Sequence, residues 1–226
     1  MRYTAGVMDI DVKICGLKTP GALAAARAGG ARWVGFVFFP PSPRAIAPVD
    51  ALTLRASLDA GGPETVGVYV DPNDALLAAS ADAVDWIQLH GDESPARAAD
   101  IRARLGKRII KAIPVAAPGD IARADAWRDA ADMILFDAKA PAGSDLPGGN
   151  ARSFDWTMLK AAAPALPWML SGGLDTANLS EAVRRSAARA VDVSSGVEES
   201  RGVKSLDKIA AFLDVARQIK TKEPAR

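Results

Sequence analysis

Short apolar runs alternate along this chain with segments of helical periodicity. The runs cover residues 11–15 (DVKIC), 33–39 (WVGFVFF), 65–70 (TVGVYV), 85–89 (DWIQL), 108–113 (RIIKAI), 133–137 (MILFD), 167–171 (PWMLS) and 190–194 (AVDVS). Several are almost continuously apolar, which suits parallel strands covered on both faces better than a half-wet antiparallel sheet. Between them, Thr19-Pro20, Asp71-Pro72 and Ser94-Pro95 each place a side-chain acceptor at an N-cap, with proline at the first helical position. Ala98, Ile101 and Leu105 form one stripe, and Gly106 is placed to end that helix as a left-handed cap. Leu206, Ile209, Leu213, Ala216 and Ile219 recur every three or four residues, predicting a final helix that turns this face inward. Eight strand-then-helix units in this length predict an α/β fold, a single closed (β/α)8 barrel of the TIM type. The alternative is an open doubly wound sheet, but no Gly-x-Gly-x-x-Gly turn follows the first run.

A chain of 226 residues that is 49% hydrophobic can bury a sizeable core. We expect one barrel domain over residues 1–226, with 1–8 a short extension before the first strand. Lys and Arg number 28 against 27 Asp and Glu, a net charge of +1. That balance argues against nucleic acid or a membrane surface as partner and points to a small molecule. Cys15 is the only cysteine, so no internal disulfide can form and a cytoplasmic location is expected. The start, MRYTAGVMDI, shows neither a signal-peptide core nor a membrane span. Residues 138–153, the longest polar and Gly/Pro-rich stretch, follow a strand and read as an active-site loop.

In a barrel, catalytic groups come from the ends of different strands. Cys15 closes the first; it is either a small buried hydrophobe or, near cationic groups, a thiol of lowered pKa serving as general base. Asp137 closes the sixth, where a carboxylate without a partner is costly, so it is either a cap for the following loop or a general acid. Gly172 and Gly173 follow the seventh strand, and Ser194, Ser195 and Gly196 follow the eighth. Glycine turns in these two loops suit a phosphate, although tight turns need glycine anyway. Arg44, after Pro40-Pro41-Ser42-Pro43, is either a solvated loop charge or a fork for a carboxylate. His90, the only histidine, is either a structural hydrogen-bonding group or a ligand contact. With one His and one Cys, no typical zinc site can be assembled. Lys111 and Lys139 leave open a Schiff-base aldolase.

Together KICGL (13–17), the loop ending at Arg44, QLHG (88–91), LFDA (135–138), FDW (154–156), SGGL (171–174) and VDVSSGVE (191–198) resemble the phosphoribosylanthranilate isomerase family of tryptophan biosynthesis. The likeness runs from Val12 to Ile209. It implies an Amadori rearrangement of an aminoaldose to an aminoketose, with Asp137 as general acid and Cys15 as general base and no metal or organic cofactor. It further implies that Arg44 faces the anthranilate carboxylate, that His90 and Asp192 line the substrate pocket, and that Gly172, Gly173 and Ser194 to Gly196 hold the phosphate. The small phosphorylated substrate would be the only partner of a monomer or homodimer. The histidine-pathway sister isomerase, similar in fold, is the nearest rival, but that family carries an aspartate where Cys15 stands. The chain departs from the family pattern at Gly148-Gly149-Asn150-Ala151 and over 200–205.

Overall fold

The computed structural model describes residues 7–139, 153–162 and 164–222. Eight parallel strands close into a ring in chain order: β1 (Asp11–Cys15), β2 (Trp33–Val37), β3 (Glu64–Tyr69), β4 (Trp86–Leu89), β5 (Arg108–Val115), β6 (Met133–Ala138), β7 (Trp168–Leu170) and β8 (Ala190–Val193). The expected barrel is the observed architecture. Helices α1 (Pro20–Ala28), α2 (Pro48–Ala56), α3 (Asp74–Ser80), α4 (Pro95–Leu105), α5 (Pro118–Ala122), α6 (Thr157–Ala162), α7 (Leu179–Ser186) and α8 (Leu206–Gln218) follow the strands in turn. Closure pairs β1 with β8, setting Lys13 opposite Asp192 and Ile14 opposite Val193. Outside the ring, Val7–Asp9 pairs antiparallel with Lys220–Lys222, and Glu198–Ser200 with Val203–Lys204.

Alternation along each strand sorts residues between two faces. Val12, Ile14, Val34, Phe36, Ile109 and Ile113 join the core beneath the helices, whereas Trp33, Val66, Trp86, Ile110, Leu135 and Met169 fill the barrel interior. Both faces are dry, which is why the strands read as nearly unbroken apolar runs. At the amino-terminal floor, Trp33 and Trp86 meet edge to face with centroids 6.5 Å apart. Each indole N–H donates to Glu64 Oε2 at 3.0 Å, and Arg108 pairs with Glu64 while lying 4.0 Å over the Trp86 ring.

Helix ends follow local chemistry. Thr19 and Ser94 accept from Ala22 and Arg97 N–H as N-caps, and Gly106 ends α4 at φ +64°. The third start differs from expectation: Asn73, not Asp71, caps α3, accepting from Leu76 N–H at 2.9 Å. Asp71 is taken by the neighbouring loop instead, with φ +45°, its N–H on Glu93 and its carboxylate accepting from Asp92 N–H. On α8, Ile209, Phe212, Leu213 and Ala216 are buried, but Leu206 is 49% exposed in the first turn and Ile219 lies past the last one. The fully buried stripe is therefore shorter than its spacing predicts, with Ile219 packing partly buried against the core just beyond the helix.

Replacing Glu64 with Leu leaves two indole N–H donors without their acceptor, and should cost about 1–3 kcal/mol in urea unfolding. Unchanged stability would show that the floor does not depend on this carboxylate.

Candidate active site

The same alternation that fills the floor with apolar groups turns polar ones inward at the carboxyl end. Asp137 stands two residues beyond Leu135, Asp192 two beyond Ala190, and Cys15 two beyond Lys13. A pocket there is lined by Cys15, Arg44, His90, Asp137, Gly172, Gly173, Asp192, Ser194 and Ser195. Gly196, singled out with them, does not line it. A Cβ at Gly196 would lie 1.9 Å from the Leu174 carbonyl oxygen, so this glycine lets the loops after β7 and β8 pack together. Gly172 (φ +96°) and Gly173 (φ +64°) supply the turn after β7.

On one side Asp137 is buried, with Oδ1 accepting from Ala138 N–H at 2.9 Å and Oδ2 lying 3.4 Å from His90 Nε2. Gln88, inward-facing on β4, places its Nε2 3.0 Å from His90 Nδ1. The other ring nitrogen, Nε2, faces Asp137. Gln88 thus orients the histidine beside the carboxyl group.

On the other side Cys15 is buried against Gly35 of β2, where a Cβ would come within 2.9 Å of Sγ and 3.3 Å of Lys13 Nζ. Lys13 Nζ donates to Asp192 Oδ1 at 2.8 Å, and Ser171 Oγ donates to Asp192 Oδ2 at 3.2 Å. The expectation of a lowered thiol pKa fails. Burial pushes the Cys15 thiol up, Lys13 and Lys204 pull it back, and Asp192 adds to the rise, leaving it above its ordinary value. Nearby cations do not outweigh desolvation there.

Arg44 is not a solvated loop charge. Its Nε and Nη2 donate to the Glu198 carboxylate at 2.7 and 3.0 Å, both residues being buried. Lys204 Nζ donates to the same carboxylate at 2.8 Å and to Ser194 O at 2.8 Å. Burial would raise the Glu198 pKa, but Arg44, Lys204 and the Gly202 N–H outweigh it and hold it at about 2. Gly202 keeps φ +83°, and a Cβ there would lie 2.6 Å from the Pro43 carbonyl oxygen. The atypical segment 200–205 therefore reaches the site, through Gly202 and Lys204. The stretch 148–151, and all but the ends of the expected loop 138–153, lie outside the described residues.

A family model described as N-(5'-phosphoribosyl)anthranilate (PRA) isomerase matches residues 12–215. The chain belongs to this isomerase family. An N-(5'-phosphoribosyl)anthranilate isomerase from Rhodospirillum centenum is 51% identical over 212 residues, 92% of this chain and 99% of that one. The crystal structure of phosphoribosyl anthranilate isomerase from Thermotoga maritima superposes with TM-score 0.82 at 34% identity, covering 93% of this chain and 100% of that one. A second isomerase structure, in complex with reduced 1-(o-carboxyphenylamino)-1-deoxyribulose 5-phosphate, gives TM-score 0.80 at 32% identity over 93% and 100% of the two chains.

Membership of the PRA isomerase family displaces the histidine-pathway and aldolase alternatives, and the lysines' positions agree. Lys111 shares the outward face of β5 with Ile109 and Ile113, bonded to Glu93 Oε2 at 2.7 Å and to Gly91 O at 2.6 Å. Lys139 is exposed. Neither lines the pocket. Sequence reasoning missed Lys13, Gly35, Gln88, Glu198 and Lys204 as site residues. For Lys13, Gly35 and Gln88 the available signal was the inward register that they share with strand-end residues. Among the described residues no helix is long and apolar enough to cross a membrane, and no group of three His, Cys, Asp or Glu is placed to hold a metal.

Glu198 ionises near pH 2 when folded, against an ordinary 4.5, so its charge favours the folded state above about pH 4.5 and that contribution fades as pH falls toward 2. The stability gap between the protein and Glu198→Gln should accordingly be full near neutrality and shrink through this acid window in urea titrations. A gap that widens on acidification would contradict the arrangement.

Proposed function

We propose that this chain converts N-(5'-phosphoribosyl)anthranilate to 1-(2-carboxyphenylamino)-1-deoxyribulose 5-phosphate in tryptophan biosynthesis, with Asp137 as general acid and Cys15 as general base. The observation that carries the roles is that both side chains line one pocket at the carboxyl end of the barrel, on strands three places apart in the ring. Asp137 delivers a proton to the ribose ring oxygen; the C1'–O bond breaks and the substrate nitrogen's electron pair forms an iminium ion. Cys15 then takes the C2' proton, and the C–H electrons move toward the iminium nitrogen to give an enolamine. Tautomerisation yields the ketose. The iminium nitrogen is the electron sink, so the steps as written call for no metal or organic cofactor.

The remaining roles follow from the ends of the substrate. Gly172, Gly173, Ser194 and Ser195 turn backbone N–H groups toward the phosphate, with Gly196 allowing the two loops to meet. Arg44, two of whose nitrogens are held by Glu198, presents its remaining edge to the anthranilate carboxylate. His90 and Asp192 contact the ribose. The substrate's two anionic ends then flank the reacting carbons and hold them between thiol and carboxyl group, which supplies orientation in addition to proton transfer. A cytoplasmic setting suits a base that must stay a free thiol.

Each proton transfer typically contributes a factor of about 100 to 10,000. Cys15→Ser and Asp137→Asn should each cut kcat by roughly that range while the barrel remains folded, followed by the loss of anthranilate fluorescence. Near-normal turnover in either variant would refute its role. Because burial raises the thiol pKa, kcat/KM should climb with pH from neutrality into the alkaline range as the base form grows. A profile that falls over that interval would contradict the thiol as base.

A further inference from the structure

Among the described residues Lys13 is the most deeply buried charge, at 0% exposure on the inner face of β1. A buried ammonium without compensation is strongly unfavourable, and mutational experience shows such pairs are not generally kept for stability alone. Its Nζ is held by Asp192 at 2.8 Å, yet it also adjoins the thiol. Both Lys13 Nζ and Cys15 Sγ border the vacancy left by the missing side chain of Gly35, at 3.3 and 2.9 Å from where a Cβ would stand.

The charged and titratable groups around the thiol come from several elements. Lys13 on β1, Arg44 from the loop after β2 and Lys204 from the hairpin after β8 are cationic; Asp192 on β8, Glu198 at the hairpin's start and Asp137 on β6 are anionic, with His90 beside Asp137. Arg44 and Lys204 are both bonded to Glu198, which leaves Lys13 as the cation beside Sγ, and Ser194 ties this cluster to the strand end by donating to Cys15 O at 3.2 Å. Resting on Cys15 as the base, we propose that Lys13 is its positioning residue: the ammonium, anchored by Asp192, is the fixed counter-ion of the Cys15 thiolate. In the deprotonation step the S–H bond forms as the C2'–H bond breaks, the C–H electrons pass into the enolamine, and Lys13 keeps its proton throughout. Burial lowers the Lys13 pKa, but Asp192 and the Cys15 charge raise it further, so the ammonium persists. Gly35 is the complementary requirement, since any side chain there would separate the two groups.

The test titrates the thiol separately from turnover, by the pH dependence of iodoacetamide alkylation in the protein, in Lys13→Met and in Lys13→Met/Asp192→Asn. The double variant removes both buried charges and keeps the question answerable if the single variant does not fold. We expect the alkylation midpoint to move to higher pH by about one unit or more, so that roughly tenfold less thiolate is present at neutral pH. In Lys13→Met, kcat should fall in proportion and recover as pH is raised, with KM little changed. A folded variant with an unmoved alkylation midpoint overturns the proposal. Retained turnover in Cys15→Ser would instead remove the base assignment itself, so the two failures are distinguishable.

Discussion

Closing eight parallel strands into a ring leaves an interior that receives every second residue of each strand, and that narrow space must be filled without stranded polar groups. The floor solves this with Trp33, Trp86 and aliphatic side chains, their two indole N–H groups both satisfied by Glu64. Toward the carboxyl end the same inward register carries Lys13, Cys15, Gln88, Asp137 and Asp192, so the transition from dry floor to chemical mouth occurs within one or two residues of each strand. The position of the site is a consequence of ring closure, and the hydrogen bond between Lys13 and Asp192 sits on the seam where β8 meets β1.

Electrostatics at the mouth is a contest between desolvation and pairing. Glu198 illustrates pairing that wins, since two cations and a backbone N–H hold its carboxyl near a pKa of about 2 despite burial. Cys15 illustrates the opposite result, because burial outweighs Lys13, which is shared with Asp192, and Lys204, which is shared with Glu198. The two outcomes differ in consequence: Glu198 stays ionised and fixes Arg44 and Lys204, while burial favours the protonated form of Cys15.

Much of the fold was legible in the sequence, because strand-length apolar runs, proline-bearing N-caps and Gly106 are local signals. The strand ends were also legible, and with them Cys15, Asp137, His90 and the glycine turns. What escaped depends on partners far away along the chain. Lys13 meets an aspartate 179 residues on, and Arg44 meets a glutamate 154 residues on. Asp71 looked like a cap because its own neighbours fit that role, and only the loop bearing Glu93 and Asp92 explains why Asn73 took it. The thiol's pKa was misjudged for a related reason: local motif chemistry registers nearby cations but not the volume of protein that excludes water.

In the proposed reaction one ligand bridges thiol and carboxyl group while anchored at both anionic ends. A crystal structure of this chain with reduced 1-(o-carboxyphenylamino)-1-deoxyribulose 5-phosphate would show whether it does. The phosphate should lie against the turns at Gly172-Gly173 and Ser194-Ser195, the carboxylate toward Arg44, and the C1–C2 bond between Cys15 Sγ and the Asp137 carboxyl group. A ligand seated with its phosphate at Arg44, or with either side chain out of contact with the reacting carbons, would contradict it.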